Sequence, residues 1–461
     1  MDNDSDTPMI PLETEPTTVS LIEKEPTYLD VFKNKDFMKL LSGQFFSNFG
    51  DAIFRIAIQL YVYEVTLSIT AMTLILAAQT VPWIIIGPIA GVFADRVSRK
   101  AIMVGADIVR GTTILILPFL KSIYGIAVIA FILGAASATF VAPRSAAIPE
   151  ITGLRLYVKA ISLSQLVFQT LAVVGPLFAA PIYVLLGEST FWITSGCFFV
   201  SGTIIFFTSI PSALRDKKEI ITFKLVFKDL KEGFGYLVKH PTIRMLLFLF
   251  TFIIIGSAFA GPLLLPYLFE VKHNAISIQY FNTPLTLTQI YDSTFISGLK
   301  DLSDREFGFL GAIIALGSIM GNLVFGRFEK KIGRPLALTL GSLAVSLYYF
   351  VFLFKPNFYV LLAVGLIQGF LNGMFNLAIN ALFAENVPNE VRGRAYSATN
   401  AYIQVFSVLC LSLSGLTADS IGVVVTMAGA GIFLLFTTVL IIIFTRFYKF
   451  SSKPPNPILD N

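Results

Sequence analysis

Four charged side chains stand away from the ends of the long apolar runs of this 461-residue chain, where charge is expensive and therefore informative. Asp51 and Arg55 fall in a run over 38–62, and Asp107 and Arg110 in a run over 101–120. Spacings of four and three residues put each acid and base on one helical face, where they can pair. Two readings stand for these charge-relay candidates. The pairs lock helix packing, or a carboxylate takes up and releases a proton as its surroundings change between wet and dry. Asp51, near the middle of its run, is the better placed for the second role. His240 and His273 lie outside the apolar runs, so a histidine relay is excluded. No HExxH, Gly-rich phosphate loop or His/Cys cluster is present, so neither an enzyme nor a bound cofactor or metal is expected. Cys197 and Cys410 each sit in an apolar run and read as small packing residues.

A second group is polar and uncharged. Gln368, Asn372, Asn376 and Asn380 recur every four residues, which keeps them near one helical face. Amides facing lipid would be costly, so this stripe must meet protein or water, either as interhelical hydrogen bonds or as the wall of a wet cavity.

The elements that must hold these residues follow from composition. Hydrophobic residues make up 55% of the chain, charged residues 14%, and mean hydropathy is +0.76, values that exclude an ordinary soluble globule. Backbone amides in hydrocarbon need internal partners, so runs of this length are helices. Twelve are read, over 38–62, 70–93, 101–120, 123–143, 160–186, 190–211, 245–268, 306–326, 335–354, 357–383, 395–418 and 421–445. The chain is thus an all-α membrane protein. An acidic tail over 1–35, without a signal-peptide pattern, is expected to be disordered. Six-helix units follow over 36–211 and 245–446, with a linker at 212–244 and a tail at 447–461. In the linker, Phe223, Val226, Phe227, Leu230, Phe234 and Leu237 share a face and lysines fall away from it, as in an interfacial or plain linking helix. The polar connection at 269–304 is external, with no role assigned. With both termini cytoplasmic, 27 of the 34 Lys and Arg residues fall on inside segments, Arg144 among them, so the positive-inside rule favours that orientation.

The two halves repeat. Gly87 and Gly91 precede Asp95-Arg96 as Gly317 and Gly321 precede Gly326-Arg327. Pro149-Glu150 after span four has a counterpart in Pro388 and Glu390 after span ten. Gln165 and Gln169 in span five match Asn400 and Gln404 in span eleven. Three matches in chain order indicate duplication of a six-helix unit. The GxxxG spacings themselves point to close helix packing.

At Gly91-Val-Phe-Ala-Asp95-Arg96-Val-Ser98-Arg99-Lys100 the sequence resembles the loop between spans two and three of the major facilitator superfamily, with Ser98 where that family has glycine. Ser47 to Asp51, Phe54-Arg55, Pro143 to Glu150, and Val387-Pro-Asn-Glu-Val-Arg392-Gly-Arg394 resemble its enterobactin exporters and macrolide efflux proteins. Gly175-Pro176 is similar to part of an antiporter motif, whereas the span-four arginine of many drug/proton antiporters is missing. The resemblance implies the major facilitator fold, two pseudo-symmetric six-helix bundles around a central cavity. It places Gln44, Asn48 and Asp51 opposite Gln368, Asn372 and Asn376 as cavity residues. It also assigns a cytoplasmic gate to Gly91, Asp95, Arg96, Arg99, Lys100, Arg327, Arg392 and Arg394, in which the aspartate meets a helix terminus of the other half.

The function so implied is secondary active export of amphipathic small molecules such as drugs or siderophores, by alternating access, with a proton as candidate coupling ion. A transport-inactive receptor or scaffold, and a lysophospholipid or metabolite facilitator, remain alternatives. The expected partners are a small-molecule substrate and the lipid bilayer, not nucleic acid, and the expected state is a monomer in the cell membrane. Few cavity charges suggest a neutral, cationic or lipophilic ligand.

Overall fold

A computed structural model describes residues 27–66, 68–210, 232, 234, 235, 237–239, 241–269, 294–387 and 389–447, and the secondary structure among them is helical. A short helix α1 (Tyr28–Lys33) leads into α2 (Lys35–Thr66), α3 (Ile69–Arg96), α4 (Arg99–Ile116), α5 (Ile123–Leu186) and α6 (Thr190–Phe206). The second half holds α7 (Pro241–Ala260), α8 (Thr294–Ile332), α9 (Arg334–Val351), α10 (Phe358–Asn386), α11 (Asn389–Ile421) and α12 (Val423–Phe447). Helix α5 is two spans joined at Gly153, whose φ of 69° breaks the helical path. Counting it twice gives twelve long helical segments among the described residues.

Ten stretches of the described residues are long and apolar enough to cross a bilayer. Helix α2 is not one of them, because Gln44, Asn48, Asp51 and Arg55 interrupt its apolar character. The stretch Phe178–Phe206 covers the end of span five and all of span six.

Two sequence expectations change. The connection at 269–304 is helical from Thr294 onward, as the start of α8. Span four does not stop at residue 143 but runs on to Gly153. Pro143 and Pro149 look like a stop in sequence, yet membrane helices tolerate proline where neighbours satisfy the freed carbonyls. Arg144 thereby moves from a loop into the span. Most of the amphipathic stretch expected over 212–244 lies outside the described residues.

Internal duplication is visible at one constant displacement of 235 residues. Gly187, with φ 53°, turns the chain between spans five and six, and Gly422, with φ 91°, does so between spans eleven and twelve. Both are conformations that side chains with a Cβ resist. The same displacement carries the contact of Gly134 with the Gln79 carbonyl into that of Gly369 with the Ile314 carbonyl. Around the latter, Gly317 and Gly321 of α8 interlock with Gly369 and Gly373 of α10, backbone against backbone. Gly87, expected to pack in the same way, has open space where a Cβ would stand. Gly369→Ala is therefore expected to destabilise the protein by about 1–3 kcal/mol through overpacking, while Gly87→Ala stays near neutral. Thermal unfolding of the two purified variants compares them, and equal midpoints would refute the interlock.

The core shows how the halves meet. Consider the face where α2 begins and α12 ends as the terminal face. At the far face one apolar cluster joins both halves, from Tyr61, Met72, Leu117 and Phe191 to Leu263, Tyr348, Leu361 and Met427. Toward the terminal face the core divides. Val31, Phe37, Met103, Phe140 and Ile148 form a cluster of the first half, and Phe325, Leu338, Met374 and Ile441 one of the second. Among the described residues, then, the halves share one apolar core at the far face and keep separate cores toward the terminal one.

Candidate functional site

Between the halves lies a cavity of about 810 Å³. Helix α2 contributes Ser47, Asn48, Asp51, Arg55 and Gln59, and α3 contributes Gln79, Thr80 and Trp83. Arg110 of α4 and Phe140 and Arg144 of α5 complete a polar, charged wall. Gly261, Pro262, Phe307, Gln404 and Leu411 from the second half face it, and none of these carries a charge.

The charges pair otherwise than their spacing suggests. Arg110 bridges two carboxylates, holding Asp51 at 3.1 Å across the helix interface and Asp107 on its own helix. Asp107 is fully buried, and its second oxygen accepts from Ser201 Oγ at 2.7 Å. The guanidinium of Arg110, 2% exposed, lies between the rings of Phe140 and Phe198, at 4.7 and 4.5 Å from their centroids. Arg55, expected to neutralise Asp51, instead reaches into the cavity and forms no ion pair with a described residue. The reason is reach: α4 presents Arg110 to the carboxylate from a dry interface, while the Arg55 head keeps to the wet space.

Of the polar residues expected to line a cavity, Asn48 borders this one and Gln44 does not. Gln44 is 1% exposed, and both ends of its amide lack a hydrogen-bond partner. The Gln368, Asn372 and Asn376 stripe is absent from the wall. Asn376 donates to Asn372 Oδ1 at 2.8 Å and Asn380 to the Asn376 carbonyl at 2.7 Å, so the amides bond along their own helix. Gln59, Gln79, Trp83 and Arg144 were not singled out in the sequence. For Arg144, the available signal was the lack of a glycine between residue 143 and Gly153 to end the helix.

At the terminal face, the side chains of Asp95, Arg96, Arg392 and Arg394 lie outside the described residues, as does that of every residue from Pro88 to Arg96. Ser98, which replaces the family glycine, N-caps α4 by accepting from the Ala101 N–H at 3.4 Å. Arg99 pairs with Glu150 and donates to the Ala146 carbonyl at 3.0 Å, which ties the start of span three to the end of span four within one half. Lys100 lies over the Phe206 ring and Arg327 over that of Phe328. Displaced by 235 residues, Arg334 grips Glu385, with Nη2 to Oε1 at 2.6 Å. Glu385, not Glu390, is thus the structural counterpart of Glu150. Hydrogen bonding to Arg334 holds the Glu385 carboxyl below its ordinary value, so this clamp stays ionised across neutral pH.

A contact of the kind expected at the Asp95 loop, a carboxylate with a helix terminus across the halves, stands on the far face. Asp419 at the end of α11 accepts from the Thr70 N–H at 3.0 Å, at the N-terminus of α3, with Ser68 Oγ 3.5 Å away.

Comparison with known proteins agrees with this architecture. The residue pattern describing the Major Facilitator Superfamily matches residues 40–298 and 274–459. The uncharacterized MFS-type transporter YfiS of Bacillus subtilis (strain 168) is 23% identical over 422 residues, covering 88% of this chain and 92% of its own. Macrolide efflux protein A of Streptococcus pyogenes is 25% identical over 400 residues, covering 84% and 90%. Among solved structures, a variant of the nucleoside transporter NupG superposes with a TM-score of 0.68 at 14% identity, covering 90% of this chain and all of its own. With its helical repeat, its central cavity and a family match along most of its length, the chain belongs to the major facilitator superfamily and is an integral membrane transporter.

Proposed function

We propose that the protein is a secondary active exporter of amphipathic small molecules, working as a monomer by alternating access in the cell membrane with both termini cytoplasmic. The observation that carries this reading is the cavity between the halves, charged on one wall and uncharged and largely apolar on the other, with a core shared by both halves at the far face and, among the described residues, separate cores toward the terminal one. A site for a molecule with a polar head and an apolar body needs both walls. The similarity to a macrolide efflux protein supports the outward direction. Loop basicity supports the orientation, which makes the present state inward-facing.

Asp51 is the coupling group in this reading. It borders the cavity while its partner Arg110 is buried, so a proton arriving through the wet space meets Asp51 and not Asp107. Protonation removes one of the two charges that hold Arg110 and frees the α2–α4 contact to change between states. Reconstituted vesicles given an imposed pH gradient and a panel of drugs, siderophores and lysolipids test the proposal. Wild-type protein is expected to accumulate at least one compound on the gradient, and Asp51→Asn to lose the gradient dependence while still binding it. Undiminished gradient-driven transport in Asp51→Asn removes the proton role, and no transport of any compound by the wild type leaves the receptor reading in its place.

A further inference from the structure

The cavity holds more positive than negative charge. Asp51, Arg55, Arg110 and Arg144 border it, and Asp107 stands buried behind Arg110. Three guanidinia therefore face two carboxylates. Arg110 is bonded to both acids, while Arg55 and Arg144 form neither an ion pair nor a side-chain hydrogen bond with any described residue. Both lie close enough to feel the charge of Asp51. Each is about one helical turn from a fixed point of the Arg110 network, Arg55 beyond Asp51 on α2 and Arg144 beyond Phe140 on α5. Because α2 and α5 run in opposite directions there, the two free guanidinia flank the network along the cavity axis.

An excess charge in a narrow space between membrane helices calls for a counter-charge, and none of the described second-half residues that line the cavity is an acid. We infer that the transported molecule is a monoanion, with a carboxylate-like or sulfonate-like head held by Arg55, the charge of Arg144 adding attraction from the other side of the network, and an apolar body against Trp83, Phe168 and Phe307. Guanidinium is suited to this, since its planar fork binds an oxyanion through two parallel hydrogen bonds. The inference rests on the transporter reading above and names its substrate class. It also departs from the neutral, cationic or lipophilic ligand suggested by the sequence, where Arg144 counted as a loop residue and Arg55 as a candidate partner of Asp51.

Three dansyl compounds that share one apolar body separate charge from lipophilicity: dansylglycine, anionic at neutral pH; neutral dansylamide; and a dansyl quaternary ammonium. Their fluorescence is titrated against the full chain in nanodiscs of zwitterionic lipid. Dansylglycine is expected to bind about tenfold more tightly than dansylamide, with the cation weakest. Arg55→Gln should weaken dansylglycine about tenfold and Arg144→Gln by a smaller factor, and both should leave dansylamide within about twofold, which also reports that the variants are folded. Arg55 is exposed to the cavity, so its substitution keeps the test available should Arg144→Gln fold poorly. Tightest binding by the cation, no binding of dansylglycine, or unchanged dansylglycine affinity in both variants overturns the inference. None of these outcomes touches the exporter reading, which the vesicle assay decides separately.

Discussion

Leucine in place of Arg110 is expected to lower folding stability by about 3–5 kcal/mol, the cost of leaving a buried charge without its partner. Asp107 has no exposed surface, and what remains to it after the substitution is the single hydrogen bond from Ser201. Lost stacking on Phe140 and Phe198 adds to the penalty, since a guanidinium between two rings gains from both faces. A second substitution separates these contributions. In Asp107→Asn with Arg110→Leu no unpaired charge remains behind the wall, so more than half of the lost stability should return even though the stacking does not. Thermal unfolding of wild type, single and double variants in one detergent measures both effects. An Arg110→Leu protein as stable as wild type, or a double variant no better than the single, would show that the charge cluster does not hold α2, α4 and α6 together.

Which parts of this architecture can be read from sequence depends on the distance over which each signal acts. A span is a local property, about 20 apolar residues whose backbone has no partner but itself, and the limits of α3, α9 and α10 lie within three residues of the apolar runs. Partner choice is not local. Asp51 and Arg55 have ideal spacing for a pair, yet the carboxylate meets Arg110, 59 residues away, because α4 packs on α5 and α6, the same two helices that α2 packs on, and the long Arg110 side chain reaches across. The asparagine stripe shows that sequence period has the same limit: period four says that the amides share a face, not what the face meets. Arg144 was misplaced for another reason, since proline is a strong stop in water and a weak one in a membrane helix with packed neighbours. The repeat was the underused signal. The displacement of 235 residues between Gln165 and Asn400, applied to Glu150, leads to Glu385 and to the second clamp.

Joining positions 68 and 419 through introduced cysteines, in a chain whose Cys197 and Cys410 are first replaced by serine, is expected to stop transport completely and reversibly. The two native residues approach within 3.5 Å, and Asp419 also accepts from the Thr70 N–H, so a carboxylate of one half caps a helix of the other. That contact sits over the apolar cluster that joins the halves. For the cavity to open toward the far face, α3 and α11 must part there, and a covalent link forbids it. A reductant should restore transport. Binding should survive in the linked form, because the route from the terminal face stays open and dansylglycine can still reach Arg55 and Arg144. Loss of turnover with binding retained distinguishes a blocked conformational step from a damaged site, since damage at the site would remove both. Wild-type transport rates in the fully linked protein would mean that substrate passes without separation of these helices, and the two-state account of the seal would have to be abandoned.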